Sequence, residues 1–419
     1  SKYIEKHYPL GKADLYAAFL LRGLQLVRTG GVSAMLTMRN WMFIKQYSDL
    51  RVRLLEQFDL RALGDFAIGA FDEVPNDLLS VAVSVLRSVP PVAVTSVAQQ
   101  PTPASDHSYD RARTKRKRSA TLSHLGCHEF DPAALKVVPE WPLVYWWTKD
   151  FLHRYASVQK LGDESDVRLG VTTGSNARFL RQPWEVSTRH HPNSPDSDRV
   201  DMAGREWVPY IKGAGGKAWV EPLSDILKWS ANALELKISN RSYVRNEPYF
   251  FVLGVSFSTI GASFKARIHR YRSAFDVSGS SVFPIEIDEA CCLMNSMEGR
   301  GVLADLNPTV NFQVGDLKRL PLFRIEDSKL VSEYLEKAFT AHESHREPSV
   351  EFSSPGPSSW RCAQGWAQSV VDRLEGDPLP VYLEEFDIEP GTDHLSAALG
   401  VGLGRFSAEG EGLLDEASV

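Results

Sequence analysis

Apolar positions recur at helical spacing over residues 14–27 (DLYAAFLLRGLQLV), where Leu15, Phe19, Leu20, Leu24 and Val27 share one face and Gly30-Gly31 ends the pattern. The spacing predicts an amphipathic helix. The short apolar run VSAMLTM (32–38) predicts a buried strand, and residues 43–58, with Leu50, Leu54 and Leu55 inside, predict a second helix. Residues 60–66 and 78–87 read as two further strands, separated by a turn region holding Gly69, Asp72, Pro75, Asn76 and Asp77. An α/β sheet that opens on a helix lacks the strand that should precede it, so this first domain reads as incomplete.

Residues 88–109 are rich in Pro, Ser and Thr and run into RARTKRKR (111–118), which predicts a linker or exposed loop. From about residue 125 to 323, short strand-like runs (VRLGVTTG, EPYFFVLGVSFS, FKARIHRY) alternate with Gly, Asn and Pro, which predicts a mixed α+β domain. Residues 328–342 and 360–374 read as helices, with a Pro/Ser loop at 349–359 between them.

A length of 419 residues allows two or three domains, and 43% hydrophobic with 24% charged residues excludes disordered, collagenous and coiled-coil chains. Four cysteines without CxxC spacing leave neither a disulfide framework nor a zinc ribbon, and fit a reducing, cytoplasmic compartment. The longest apolar run, 78–86, is far below the ~20 residues of a membrane helix. The chain opens SKYIEKHYPL, with neither an initiator methionine nor an apolar leader, and Ser1 is expected to be a cut end. Charge is unevenly divided. Residues 326–419 hold 6 Lys and Arg against 19 Asp and Glu, leaving 41 against 34 in residues 1–325. A basic body suits phosphate contact, while an acidic tail aids solubility or repels nonspecific nucleic acid.

The short motifs decide little. Lys212-Gly213-Ala214-Gly215-Gly216-Lys217 has the glycines and lysines of an anion loop, but Ile211 stands where a Walker motif needs Gly and Ala218 where it needs Ser or Thr. Contact with a nucleic-acid backbone and a plain surface loop both stay open. Gly400, Gly402 and Gly404 lack the strand and helix that a dinucleotide turn requires. His190-His191, Cys127-His128 and Cys291-Cys292 are adjacent pairs, poorly spaced for one tetrahedral metal. No GxSxG or HExxH occurs, and the tryptophans scattered over 141–229 are expected to be mostly core.

Five segments in order carry a resemblance. KADLYAAFLLRGLQLVRTGGVSAMLTMRNWMFIKQYSDLRVRLLEQFDLRALGDFAIGAFDEV (12–74) resembles the stretch that follows the catalytic motif in PglX-family adenine-specific DNA methyltransferases of BREX phage-defence systems, and more loosely the type IIG restriction-modification methylases. GVTTGSNARFLRQPWEV, WVPYIKGAGGKAWVE, VSFSTIGASFKARIHRYRSAFDVSGSSVFPI and LMNSMEGRGVLADLNPTVNFQVGDLKRLPL look like successive blocks of that family's target-recognition region, so the similarity spans about residues 3–325. The family's Gly-containing donor loop and Asn-Pro-Pro-Tyr-type motif do not occur in these 419 residues; Val89-Pro90-Pro91-Val92 and Asn307-Pro308-Thr309-Val310 match poorly and lie in the wrong places.

The resemblance implies an α/β fold: the C-terminal part of a Rossmann-like methyltransferase sheet (1–88), the linker (89–124), an α+β target-recognition domain (125–325) and a partly helical acidic tail (326–419). It implies methyl transfer from S-adenosylmethionine to the exocyclic amine of adenine in duplex DNA, with no metal, and further phage-defence proteins as candidate partners. The base must first leave the stack. No catalytic residue is assigned, because the groups that would polarise the amine are missing. Asp14, Tyr16 and Phe19 are candidates for the wall of the cofactor or base pocket, with helix capping and core packing the alternative. Candidate DNA contacts are Thr173, Gly174, Asn176 and Arg178; Lys212, Gly213 and Lys217; Ser258, Lys265 and Arg267; and Asn311 and Gln313. Two functions compete: a methyltransferase portion inactive without its upstream half, and a DNA-recognition or interaction module without catalysis. A sheet with an unpaired, apolar, exposed edge favours the first, and a complete sheet the second.

Overall fold

The computed structural model describes residues 2–72, 79–92, 95–101, 113–187, 190–191, 195, 205–213, 215–260, 264–308 and 311–405. Pro75, Asn76 and Asp77, much of the Pro/Ser stretch, Arg111, and the chain beyond residue 405 lie outside the described residues. The chain divides into two units, Ser1–Val158 with Asp305–Pro308, and Gln159–Ala304 with Thr309–Val419.

The first unit is a mixed five-stranded sheet with helices. Its elements are α1 (Lys2–His7), α2 (Leu15–Leu26), β1 (Val32–Met38), α3 (Ser48–Gln57), β2 (Asp59–Ala67), β3 (Val81–Arg87), β4 (Ser96–Gln99), α4 (Arg113–Leu122), β5 (Cys127–Phe130) and α5 (Lys149–Ser157). The strand order is β1-β3-β2-β4-β5. Both β1 and β2 pair antiparallel with β3, so they run in the same direction with α3 as their crossover. β4 adds parallel to β2, and β5 closes antiparallel.

Three expectations change here. α2 buries Ala17, Ala18, Leu20, Leu21 and Leu24, while Leu15 and Phe19, expected on the inner face, lie outside with Leu26. The expected buried strand β1 is an edge, and Val32 (55% exposed), Ala34 and Leu36 (51%) share one uncovered face. Residues 96–99 and 113–122, expected within a linker or exposed loop, form β4 and α4. The basic run turns Arg113 and Lys117 inward, the latter donating to the Phe66 carbonyl.

Two arginines organise the interior of this unit. Arg39 meets Asp65 through two bonds of 2.6 and 2.7 Å, and Tyr145 donates to the same carboxylate at 3.0 Å. Burial and the Asp65 charge push the Tyr145 phenol well above its usual range. Arg51 is fully buried and donates to the carbonyls of Trp41, Ile44, Glu140 and Trp141 at 2.8–3.1 Å, tying the turn after β1 to residues 140–141. Satisfied in this way, a buried cation becomes a cross-link.

The second unit contains α6 (Leu161–Glu164), β6 (Asp166–Arg168), α7 (Asn176–Phe179), β7 (Leu180–Arg181), β8 (Trp207–Ile211), β9 (Trp219–Glu221), β10 (Asp225–Lys228), α8 (Ser230–Ile238), β11 (Val255–Phe257), β12 (Ala266–His269), β13 (Ala274–Phe275), β14 (Ser281–Phe283), α9 (Ile287–Asn295), α10 (Met297–Leu306), α11 (Val314–Lys318), α12 (Ser328–His345), α13 (Trp360–Val371) and α14 (Gly391–Gly402). Two sheets, β13-β8-β10-β7 and β6-β14-β11-β12-β9, hold it together. Trp229 sits between Phe250 and Phe251 at 5.8 and 5.3 Å in a core shared with Val208, Ile211 and Phe275.

The helices expected over 328–342 and 360–374 are α12 and α13, but they are not a detached tail. Arg270, just after β12, bonds Glu351 (Nε, 2.8 Å), Thr340 (3.2 Å) and Glu336, and Tyr271 donates to Glu351 at 2.8 Å. Part of the acidic surplus is therefore neutralised inside the unit. Gly400 and Gly402 belong to helix α14, which removes the dinucleotide-turn geometry. No described helix is long and apolar enough to cross a membrane.

Replacing Asp65 by Ala strands the Arg39 guanidinium in the interior and should lower the stability of the first unit by about 3–5 kcal/mol. Denaturant unfolding followed by tryptophan fluorescence reads this directly; an unshifted midpoint would remove the pair from the supports of the fold.

Candidate nucleic-acid interface

The four blocks singled out in residues 170–322 meet at one turn. Residues 276–280 join β13 to β14, and so pass from one sheet of the second unit to the other. Each block bonds to this turn or to its neighbour. Asp276 N donates to Ile211 O (2.8 Å), Val277 N to Val171 O (3.2 Å), Thr259 N to Ser278 O (3.3 Å), and Phe312 N to Thr259 O (2.8 Å). The Asp276 carboxylate fixes the turn by accepting from Ser278 N and Oγ, both at 2.7 Å, and from Tyr210 Oη at 2.7 Å.

The first block follows Val171. Thr173 is buried, and its hydroxyl lies 2.5 Å from Asn176 Oδ1, holding the exposed start of α7. Gly174 adopts φ +67°, and a Cβ there would strike the Arg241 carbonyl, so only glycine fits. Arg178 is drawn back onto Glu235, at 2.8 Å.

The second block is the β8–β9 loop. Lys212 lies 3.7 Å from Asp225, and Lys217 donates to Ser224 at 2.6 Å. Burial pushes the Asp225 carboxyl up, and the Lys212 and Lys217 ammonium groups oppose that shift. Gly215 and Gly216 take φ +53° and +87°, and a Cβ on either would meet nothing within 4 Å, so the loop is open to solvent. Gly213 lies against Ser278 of the central turn. Ala214 lies outside the described residues.

In the third block Lys265 is half-buried, Ser258 is buried beside it, and Arg267 is fully buried, paired with Glu221 and donating to the Lys212 carbonyl at 3.1 Å. Arg267 therefore braces the loop from beneath rather than facing solvent. In the fourth block Asn311 and Gln313 are exposed, and Gln313 N donates to Asp316 Oδ2 at 2.9 Å at the start of α11.

Reading by blocks missed Arg241, Tyr243 and Arg245. The Tyr243 strand segment bonds Thr172 in both directions at 2.9 Å, the ring is 56% exposed, and the Arg245 guanidinium lies 5.5 Å over it. The signal was the alternation of cation and aromatic in RSYVR. An exposed aromatic flanked by cations suits stacking and phosphate contact.

In the first unit, Tyr16 points inward to Tyr47, in the segment between β1 and α3, with ring centroids 5.7 Å apart, while Asp14 and Phe19 are exposed. Burial and the Tyr47 partner raise the Tyr16 phenol far above its ordinary range. The structure thus turns Tyr16 into the unit and leaves Asp14 and Phe19 at its surface, and no chemical step is assigned to them. Among the described residues no group of three His, Cys, Asp or Glu side chains is gathered closely enough to hold a metal ion.

Residues 1–71 match the family model described as Eco57I restriction-modification methylase. Over 354 residues the chain is 25% identical to the adenine-specific methyltransferase PglX of Lacticaseibacillus casei (strain Zhang), covering 79% of this chain and 28% of that protein. Over 337 residues it is 25% identical to the adenine-specific methyltransferase BrxX of Escherichia coli O9:H4 (strain HS), covering 77% and 26%. Its homologues are PglX-type adenine-specific methyltransferases. The chain spans about a quarter of the length of these curated relatives. Among solved structures, the type ISP restriction-modification enzyme LlaBIII bound to DNA aligns with TM-score 0.43 and 10% identity over 77% of this chain and 26% of that chain. The DrdV–DNA complex aligns with TM-score 0.42 and 12% identity over 81% and 41%. Both likenesses are too distant to specify a shared arrangement.

A Cβ at Gly279 would lie 2.5 Å from the Lys212 carbonyl oxygen and 3.0 Å from that of Ile211. Gly279→Ala should therefore cost about 1–3 kcal/mol through forced separation of the turn and the loop, seen as a lowered Tm; an unmoved Tm would mean that the turn is not pressed against the loop. A second expectation concerns His269, fully buried between Val252 O (3.2 Å) and Ser281 Oγ (3.0 Å), with its pKa pulled down to about 4 by burial. The unfolded chain takes up this proton near pH 6.5 and the folded one only near 4, so stability is full above 6.5 and falls by about 3 kcal/mol as pH drops to 4. His269→Gln should flatten that part of the pH–stability curve, and an identical curve would show that the imidazole is not its source.

Proposed function

We propose that this chain supplies part of the catalytic sheet and the target-reading part of a larger adenine-specific DNA methyltransferase that uses S-adenosylmethionine and acts in phage defence. One observation carries the choice of a methyltransferase portion over a self-standing recognition module. The outer edge of β1 is unpaired among the described residues and apolar, with Val32 and Leu36 half exposed, and the Leu15, Phe19 and Leu26 stripe of α2 is likewise uncovered. A self-standing module would be expected to close or charge such an edge, because an open apolar edge invites pairing with another strand.

The strand directions support the same reading. A parallel pair, β1 and β2, with an antiparallel strand inserted between them suits the terminal half of a Rossmann-like sheet. Ligands of open α/β sheets bind beyond the carboxyl ends of the strands, and the contact of Tyr16 with Tyr47, in the segment that follows β1, supports a place for the start of α2 near that end. S-Adenosylmethionine would bring the electrophilic methyl group. In this reading Asp14 and Phe19 face the donor or base pocket from one side and Tyr16 anchors α2 through Tyr47, while the residues that polarise the adenine amine come from outside this chain. The chain by itself then transfers no methyl group.

The second unit would read duplex DNA across the turn at 276–280. The proposed contact set is Asn176, Lys212, Gly213, Lys217, Lys265, Asn311 and Gln313 at the surface, joined by Arg241, Tyr243 and Arg245. Thr173, Gly174, Arg178, Ser258 and Arg267 hold these segments in place. Cations and amides in one patch provide both the phosphate term and groups able to read base edges. Binding of a labelled duplex, followed by fluorescence anisotropy over a salt series, tests this directly. The double variant Lys212→Ala with Lys217→Ala should weaken binding and reduce the slope of log K against log salt by about 0.9 for each phosphate that is no longer neutralised. A slope equal to that of the parent would take the β8–β9 loop out of the footprint.

A further inference from the structure

A cavity of about 440 Å³ lies in the second unit, between the β8–β9 loop and the helices α12 and α13. Its walls combine two kinds of chemistry. On one side are Lys217 and the open, left-handed Gly215 and Gly216; on the other are His342, Arg346 and Trp360. The Trp360 and His342 rings are inclined by only 23° with centroids 6.5 Å apart, and Phe339 meets Trp360 edge-on at 4.8 Å, fixing the indole. His342 Nδ1 lies 2.9 Å from Ser358 Oγ, which fixes the imidazole. The only carboxylate among the described lining residues, Glu343, is buried and held by Arg346 at 2.8 and 2.9 Å, so within that lining Lys217, bonded to Ser224, faces no carboxylate. The cavity thus offers planar faces at one end and a cation with glycine backbone at the other.

We propose that this cavity binds a nucleotide, with its base against the Trp360 and His342 rings and its phosphate at Lys217 and the Gly215-Gly216 backbone. Flat aromatic faces accept any base, glycines without side chains allow a ligand to approach their backbone closely, and the volume falls within the range of small-ligand pockets. The site goes beyond the DNA-reading surface. It gives α12 and α13 a role beyond neutralising Arg270, and it stands whether or not the turn at 276–280 contacts duplex DNA. The nucleotide can come from a DNA strand or from solution, since both present the same base and phosphate.

Isothermal titration of the full chain with adenosine 5′-monophosphate, with oligothymidylate and with inorganic phosphate tests the proposal. One saturable site for a nucleotide probe is expected, with inorganic phosphate a much weaker ligand. Trp360→Leu should weaken binding about tenfold, as expected when a stacking platform is removed. Because Trp360 also packs on Phe339, a second variant, Gln364→Trp, puts a bulky ring on the cavity lining without removing a packed one and should abolish binding at an unchanged Tm. Lys212→Ala, outside the cavity, should leave nucleotide binding intact while it alters the duplex salt slope. Tighter binding of oligothymidylate than of adenosine 5′-monophosphate assigns the site to a strand, and equal or weaker binding assigns it to a free nucleotide. The proposal is overturned if neither nucleotide saturates, if inorganic phosphate binds as well as the nucleotides, or if Gln364→Trp binds like the parent.

Discussion

Asp276 is the constraint on which the second unit depends. Its carboxylate accepts from Tyr210 and twice from Ser278, and its backbone N–H donates to Ile211, so one residue pins the chain where it leaves one sheet for the other. Two sheets joined by a five-residue crossing cannot slide past each other without breaking these bonds. Everything that converges on the turn inherits that rigidity: the β8–β9 loop, the Thr173 segment, the end of β11 and the Asn311 segment. Any binding surface built on these segments would share that rigidity, which holding side chains in a fixed geometry requires.

The first unit shows the opposite pattern. Its interior is cross-linked by Arg39–Asp65–Tyr145 and by Arg51 on four carbonyls, arrangements that tolerate no missing partner. Its outer edge leaves Val32, Leu36, Leu15, Phe19 and Leu26 to solvent. A firm core thus stands beside an open apolar edge, in a chain that spans about a quarter of its relatives' length.

The acidic region links charge to architecture. Glu336 and Glu351 neutralise the nearly buried Arg270, and Glu343 neutralises Arg346, so these carboxylates work as internal partners rather than as a repelling tail. By packing against the body, α12 and α13 form the far wall of the cavity over the β8–β9 loop. The loop thereby has two neighbours: the turn at 276–280, and the aromatic pair His342 and Trp360.

Local pattern determined a good deal on its own. The 3.6-residue spacing within 14–27, the apolar run 32–38 and the helix pattern of 328–342 specify elements that form where expected, because backbone propensity and side-chain period act over a few residues. Most of the tryptophans singled out are buried, Trp141, Trp147, Trp207, Trp219 and Trp229 among them, as their area requires, although Trp184 is half exposed. What one strand could not reveal was its neighbour. VSAMLTM reads as buried because its residues are apolar, yet burial depends on strands that pair in space, and β1 is an edge. The run RARTKRKR reads as solvated, yet the tertiary structure turns Lys117 onto the Phe66 carbonyl, and Arg267 reads as a DNA contact until Glu221, 46 residues away in sequence, buries its charge. The residues of the candidate site were legible as types in order; that they meet at Asp276–Ser280 was decided only by the crossing of two sheets, a long-range constraint that no local spacing encodes.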